Sequence, residues 1–364
     1  MLTSFSIQRF RGFEALELPR LGRVNLVVGK NNIGKTMLLE ALRLHRAKGS
    51  PVALLGMLGV HDEFLREPAE GRAFASVDVA ALFHGWDLAQ PVSMGPVDRP
   101  EERLTLALQR ATGDEGSSKR RGYGDRSHHH ELRIAYGGEP VGWIHLDESL
   151  GFQRASVTLS GPEYQSVVHR SGHYAHIGSP FLGPRSVTDQ TLARWWDATS
   201  LTDAEQRVIE SLRIVSPVER INMVAHPLGQ RPRMVQVLLE GESRPLPLRH
   251  LGDGIVRIFA LALALENARE AGLLLIDEIE NGIHYSGLGR LWHFVFEAAA
   301  HHGVQVFATT HSWDCVQAFQ EATERHRATD GTLVKLLEED GSVEGVVLRE
   351  EDLAIVTRDR IEVR

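Results

Sequence analysis

An α/β fold built around a mainly parallel sheet is predicted by three observations in this 364-residue sequence. An apolar strand near the start runs through a glycine-rich loop straight into a helix. A strand–helix–strand unit fills the last third of the chain. The first strand of that unit ends on an acidic pair. The bulk composition agrees: 42% hydrophobic and 24% charged residues exclude disordered and collagen-like classes. The formal net charge of −8 gives no global basic field, so any DNA contact would have to come from a local basic patch.

Ser4 to Phe10 and Arg23 to Val28 read as strands, separated by Arg11-Gly12-Phe13 and a turn at Pro19. A helix is expected from Lys35 to about Arg46, with Leu38, Leu39 and Leu42 on its apolar face. Residues 1–50 and 245–364 then form the core of one domain, and 51–244 an inserted β-rich and helical lobe. Within that lobe Phe74 to Phe83, Leu104 to Gln109, Leu132 to Tyr136, Ala155 to Leu159 and Met234 to Leu239 are strand-like. Thr188 to Ile214 is helical with a break at Ser200-Leu201-Thr202, where Thr202 and Glu205 have capping-box spacing. Gly254 to Ala271 is expected as an apolar helix closed by Gly272. Leu273 to Ile276 reads as a buried parallel strand, because its apolar run is unbroken. A helix from about Leu288 to His302, ended by Gly303, leads to the next strand, Val304 to Ala308; Leu333 to Leu337 and Val343 to Leu348 suit a hairpin.

The N-terminus has no unbroken apolar segment, and the longest apolar run, Ile258 to Leu265, is far too short to span a bilayer. A cytoplasmic location without membrane association is expected. The single cysteine, Cys315, excludes an intramolecular disulfide framework and reads as buried packing.

Gly29-Lys30-Asn31-Asn32-Ile33-Gly34-Lys35-Thr36 fits G-x-x-x-x-G-K-[ST] in full, between a strand and a helix. The glycines let the backbone curl until its N–H groups face a phosphate, and the helix N-terminus adds positive potential. Lys35 is expected to reach the β- and γ-phosphates, and the Thr36 hydroxyl to ligate Mg²⁺. Asp277, at a strand's carboxyl end, would sit near the same Mg²⁺. Glu278, the next residue, would orient and deprotonate an attacking water, the alternative being that both acids merely cap a strand. His311, in Thr309-Thr310-His311-Ser312, ends the following strand at the same sheet edge, where ligands of open parallel sheets bind. It would meet the γ-phosphate or the water, or else cap the next helix. His250-Leu251-Gly252-Asp253-Gly254 precedes a helix, and its two glycines again favour an anion. One nucleotide cannot easily use two such loops, so the target is ATP held by a second subunit; an ordinary tight turn is the alternative.

Taken in order, these motifs resemble the ABC-type ATPase heads of the SMC, RecF and OLD group. Phe10-Arg11-Gly12-Phe13 looks like the group's N-terminal strand motif, and Gly29 to Thr36 like its Walker A. Leu251 to Gly254 stands at the signature, Asp277-Glu278 at Walker B, Glu280 to His284 at the D-loop and His311 at the switch histidine. Ile276 to His284, Ala308 to Ser312 and the closing Ile361 to Arg364 are similar to compact AAA-type ATPases of bacterial and archaeal genomes, and to ATPase subunits of anti-phage defence systems such as PARIS.

The resemblance implies a P-loop NTPase with an N-terminal mixed β lobe and a mainly parallel sheet. It also implies ATP and Mg²⁺ as cofactors, and a homodimer or larger homo-oligomer closing an ATP sandwich through Gly252, Asp253 and Gly254. A separate effector protein would be controlled by the dimer, and Arg11 would touch the nucleotide, unless it forms a structural salt bridge. The chain departs from the group in three places. The signature has no serine, no clear Q-loop glutamine follows Phe74 to Phe83 (His84 is the nearest candidate), and too few residues follow His311 for an OLD-type nuclease domain.

Smaller signals are Lys119, Arg120, Arg121 and Arg126 running into His128-His129-His130, a basic loop able to touch phosphate or simply solvated. Trp195-Trp196 suits either core packing or a partner surface. Three functional readings compete: a sensor ATPase restraining an effector, a RecF-like DNA repair clamp, and a nucleotide-binding module with negligible turnover.

Overall fold

The computed structural model describes residues 1–60, 77–110, 130–146, 151–152, 157–159, 180–184, 187–225, 233–349 and 352. Strands β1 (Phe5–Phe10), β2 (Phe13–Leu18) and β3 (Val24–Val28) lead into helices α1 (Lys35–Arg46) and α2 (Pro51–Val60). The middle supplies β4 (Val77–Asp78), β5 (Val92–Gly95), β6 (Leu104–Arg110), β7 (His130–Tyr136), β8 (Glu139–Leu146), β9 (Gly151–Phe152), β10 (Val157–Leu159) and β11 (Phe181–Leu182). There follow α3 (Asp189–Thr199), α4 (Asp203–Leu212), β12 (Val218–Ala225), β13 (Arg233–Leu239) and β14 (Leu246–Pro247). The last third is α5 (Asp253–Asn267), β15 (Leu273–Ile276), α6 (Tyr285–His302), β16 (Gln305–Thr309), α7 (Trp313–Arg325), β17 (Gly331–Glu339) and β18 (Ser342–Leu348).

The α/β class is as expected. The central sheet runs β11-β15-β16-β3-β17-β18, parallel throughout except for β18. Its strands read as continuous apolar runs because both faces are covered. Leu26, Leu274, Ile276, Val306 and Ala308 enter one core with Trp196, Phe259, Trp292 and Phe319 of the helices. Val27, Leu273, Leu275, Phe307 and Val334 enter a second core with α1 and an antiparallel sheet. That second sheet runs β10-β8-β7-β6-β5-β1-β2, so strands from the middle of the chain pair directly with the N-terminal hairpin. A three-stranded sheet, β12-β13-β14, packs on the helical side. Among the described residues no helix is long and apolar enough to cross a membrane.

Several expected elements shift, each for a local reason. Phe13 to Leu18, passed over as a turn, is β2 and pairs with β1, its Phe13, Leu16 and Leu18 buried and Glu14, Ala15 and Glu17 exposed. The described part of Phe74 to Phe83 is strand only at Val77–Asp78. There the Asp78 carboxylate accepts from the Ala80 N–H at 2.9 Å and starts a 3-10 turn through Leu82. The helix at Gly254 stops at Asn267, whose side-chain amide folds back onto the Leu263 carbonyl at 2.8 Å. Glu205 accepts from the Leu201 N–H at 2.7 Å instead of from Thr202, so the capping box closes one residue early.

Arg207, Glu266 and His302 tie α4, α5 and α6 together beneath the surface. Arg207 Nε and Nη2 donate to the two Glu266 oxygens at 2.8 Å each, and His302 Nε2 lies 3.0 Å from Glu266 Oε1. Burial holds the His302 imidazole below its ordinary value although Glu266 opposes the shift. Burial pushes Glu266 upward, but the hydrogen bonds and charges of Arg207 and His302 together outweigh it and leave the carboxyl below the ordinary range. Both folded-state values lie below the unfolded ones, so the unfolded chain binds more protons in acid. The stability is complete above the ordinary histidine value of 6.5 and is lost as pH falls, through His302 first and Glu266 later. Urea midpoints are therefore expected to fall between about pH 7 and about pH 5, and further toward about pH 4. His302→Gln should make the first segment shallower, His45 and His293 supplying the rest of its slope; an unchanged first segment would show that His302 carries none of it.

Candidate functional site

The glycine-rich loop leaves the end of β3 and turns into α1 under tight steric limits. Gly29 has φ 148°, and a Cβ there would lie 2.7 Å from the Leu336 carbonyl oxygen on β17. Gly34 has φ 107°, and a Cβ there would lie 2.8 Å from the Phe13 ring on β2. Lys30, Asn31 and Asn32 form the exposed tip, and Ile33 is buried beneath it. Helix α1 has no side-chain cap at Gly34 and no acidic residue in its first turn. Its first N–H groups thus remain open to an anion. Lys35 Nζ donates to the Gly29 and Lys30 carbonyls at 2.7 and 2.8 Å. Burial lowers the pKa of this ammonium, against the raising fields of Asp277, Glu278 and Glu280.

The topology sets β16 beside β3 and β15 one strand further on, all parallel, so the three strand ends meet at one edge. Thr36 Oγ1 donates to Asp277 Oδ2 at 2.8 Å, and Thr309 Oγ1 donates to Asp277 Oδ1 at 2.5 Å. Thr309 Oγ1 also accepts from the Glu278 N–H at 2.9 Å, and the Thr309 carbonyl accepts from Ile279 N–H at 3.1 Å. Glu278 adopts φ 51°, unusual for a residue other than glycine, and its side chain is half-buried. The His311 N–H donates to Glu280 Oε1 at 2.9 Å, while Glu280 Oε2 is buried without a hydrogen bond. Lys35, Thr36, Asp277, Glu278 and His311 thus stand on adjoining strand ends. The oxygens of Thr36 and Asp277 are a donor set suited to a hard divalent cation.

Gly252 and Asp253 are exposed at the start of α5. Gly254 meets the loop after β15 backbone to backbone: a Cβ on it would overlap the Gly282 carbonyl oxygen. Arg11 is drawn into a buried ion pair, its Nε 3.0 Å from Glu40 Oε2 on α1. His84 is tied to the same turn, Nδ1 lying 2.9 Å from the Arg11 carbonyl. Trp195 and Trp196 are both core residues, and Trp196 packs on Phe259. Cys315 is buried, and burial pushes its thiol up to about 12, so it is not reactive. Residues 119–121, 126, 128–129 and 361–364 lie outside the described residues.

Sequence reasoning gave no role to Arg257, and it named Thr309 and Glu280 only as members of motifs. Arg257 was visible as the one charge within the apolar stretch from Ile255 to Leu265. Its Nη1 donates to the Gly183 carbonyl at 2.6 Å, and its Nη2 to the carbonyls of Asp277 at 2.7 Å and Glu278 at 3.1 Å. Burial lowers its pKa, and the neighbouring Asp277, Glu278 and Glu280 oppose that shift.

Residues 202–314 match a family model described as "AAA domain, putative AbiEii toxin, Type IV TA system". The chain is similar to an ATP/GTP phosphatase of Helicobacter pylori, with 21% identity over 348 residues that make up 88% of each chain. An uncharacterized protein of Methanocaldococcus jannaschii is 46% identical over 44 residues, 12% of this chain and 20% of its own. Among solved structures, an SMC head bound to the C-winged helix domain of ScpA superposes with TM-score 0.47 at 12% identity, covering 96% of this chain and 97% of its own. The SMC head domain from Thermotoga maritima gives 0.46 at 13% identity, covering 96% and 99%.

Thr309→Val keeps the volume but removes the hydroxyl shared by Asp277 and Glu278. It is expected to lower folding stability by about 1–3 kcal/mol, the cost of leaving buried polar groups without a partner. Urea denaturation at neutral pH checks it, and an unchanged midpoint would mean that water replaces the hydroxyl.

Proposed function

We propose that this chain is a Mg-dependent ATPase whose nucleotide site is completed by a second copy of the chain. The observation that carries the reading is the meeting of Lys35, Thr36, Asp277 and Glu278 at one edge of a parallel sheet, with Thr36 and Asp277 hydrogen-bonded at 2.8 Å. The Helicobacter relative's description as an ATP/GTP phosphatase supports it, as does the AAA-domain match.

Mg-ATP, when bound, supplies the γ-phosphoryl group and the cation that neutralises its charge. Lys35 exchanges the carbonyls of Gly29 and Lys30 for phosphate oxygens, and the N–H groups of the loop and the first turn of α1 take the rest. Thr36 and Asp277 turn their oxygens to the metal. Glu278 orients water and accepts its proton, and His311 senses whether the terminal phosphate is present. Gly252, Asp253 and Gly254 offer the start of α5 to the nucleotide of the second copy. Binding then favours the closed dimer and hydrolysis releases it.

In this reading residues 1–50 and 245–364 are the ATPase core and 51–244 the lobe that presents the controlled surface. The dimer acts as the sensor of a multi-component, defence-like system with a separate effector. The family description that names a toxin and a type IV TA system supports a partnered role.

Glu278→Gln is expected to lower turnover at least about 100-fold through loss of the general base, while Mg-ATP affinity holds. Light scattering of this variant should show the mass doubling on addition of Mg-ATP. Phosphate release that survives the substitution would remove Glu278 from the mechanism. A mass that stays monomeric would remove the second copy.

A further inference from the structure

Glu278 is held through its backbone from two directions. Its N–H is fixed by Thr309 Oγ1 at 2.9 Å and its carbonyl by Arg257 Nη2 at 3.1 Å, around a φ of 51°. A non-glycine residue keeps such a conformation only when its surroundings impose it, and these two contacts do so together with the Asn281 N–H, which also donates to the Glu278 carbonyl at 3.1 Å. Arg257 is only 8% exposed, and its guanidinium ties two loop segments together. One nitrogen reaches Gly183 just after β11, and the other bridges the successive carbonyls of Asp277 and Glu278.

Carbonyls that need only a donor could be capped by a neutral amide. A buried cation costs desolvation and is retained where its charge is used. The charge here lies among Asp277, Glu278 and Glu280. Arg257 also sits one helical turn from Gly252 to Gly254, at the same end of α5. Over so short a length a helix is rigid. A displacement of that loop must therefore be felt at the Glu278 backbone.

We propose that Arg257 is a positioning residue for hydrolysis: it sets the aim of Glu278 through its backbone and ties that aim to the state of the Gly252–Gly254 loop. The inference rests on the ATPase reading.

The test uses the full chain with Arg257→Lys and Arg257→Met, each alone and combined with Glu278→Gln. Mg-ATP affinity is measured by calorimetry, and turnover by phosphate release. Arg257→Met is expected to lose about 100-fold in turnover, the scale of a misplaced catalytic group, with affinity close to wild type. Arg257→Lys keeps the charge but not the fork and should recover part of the loss. In the Glu278→Gln background either substitution should cost nothing more, because both act on the same step.

Wild-type turnover in Arg257→Met overturns the proposal, and so does a loss that multiplies with Glu278→Gln. Affinity and turnover falling together in the lysine variant mark a merely structural role and overturn it as well. If the methionine variant does not fold, Arg257→Lys carries the same comparison. A wild-type chain that binds Mg-ATP without turnover overturns the enzyme reading, and this inference with it.

Discussion

The Asp277 carboxylate is held by hydroxyls from two elements other than its own strand, Thr36 at the start of α1 and Thr309 at the end of β16. It is almost fully buried, and a charge in that position is tolerable only with its oxygens satisfied. Both hydroxyls can reach it because β3 lies between β16 and β17, with β15 one strand further on. Parallel pairing puts all their carboxyl ends on one side, so the glycine-rich loop, the acidic pair and the Thr309–His311 turn leave the sheet together. A strand order that set β15 far from β3 would separate Thr36 from Asp277. The site is in this sense a property of the sheet topology before it is a property of any single motif.

The sheet in turn fixes what α1 can be. The helix is packed between the central sheet and the antiparallel one, so most of it is covered and only Arg46, at its end, is exposed. Glu40 and His45 are buried on it, and each is answered by a partner. Glu40 pairs with Arg11, and His45 Nε2 lies 2.6 Å from the Glu102 carbonyl, with burial lowering the imidazole pKa. The turn between β1 and β2 is thereby clamped to α1, and the same turn places the Phe13 ring under Gly34. The N-terminal hairpin acts as a floor for the phosphate-facing loop.

Motifs with short-range chemistry were legible in the sequence. Gly29 to Thr36, the strand before it and the helix after it follow from local steric rules, and the buried strand Leu273 to Ile276 follows from its apolar run. Features decided across the chain were not. The pairing of β5 with β1 has no local mark. Strand β2 is short and its burial pattern irregular, and its flanking Gly12 and Pro19 read as a turn. Phe74 to Phe83 has apolar residues enough for a strand, yet Asp78 captures its own backbone and turns the chain. Arg257 was in view as a lone charge, and only the fold reveals the three carbonyls that it serves.

The glycine at position 254 has a structural reason apart from any ligand. A side chain there would collide with the Gly282 carbonyl, so the start of α5 and the loop after β15 touch through bare backbone. Asn281, in that same loop, donates from Nδ2 to the Pro184 carbonyl at 2.8 Å, while Arg257 holds the Gly183 carbonyl from the other side. Residues 183–184, 252–254 and 281–282 therefore form one tied block. A hydroxyl at 252 or 254 could add a single hydrogen bond to whatever meets this surface. The backbone contact gives something different, since a load on Gly252 to Gly254 reaches the loop at Gly282 directly, and the Asn281 and Arg257 side chains carry it on to residues 183–184. Where a surface must report its occupancy to a carboxylate one helical turn away, stiffness counts for more than one further donor.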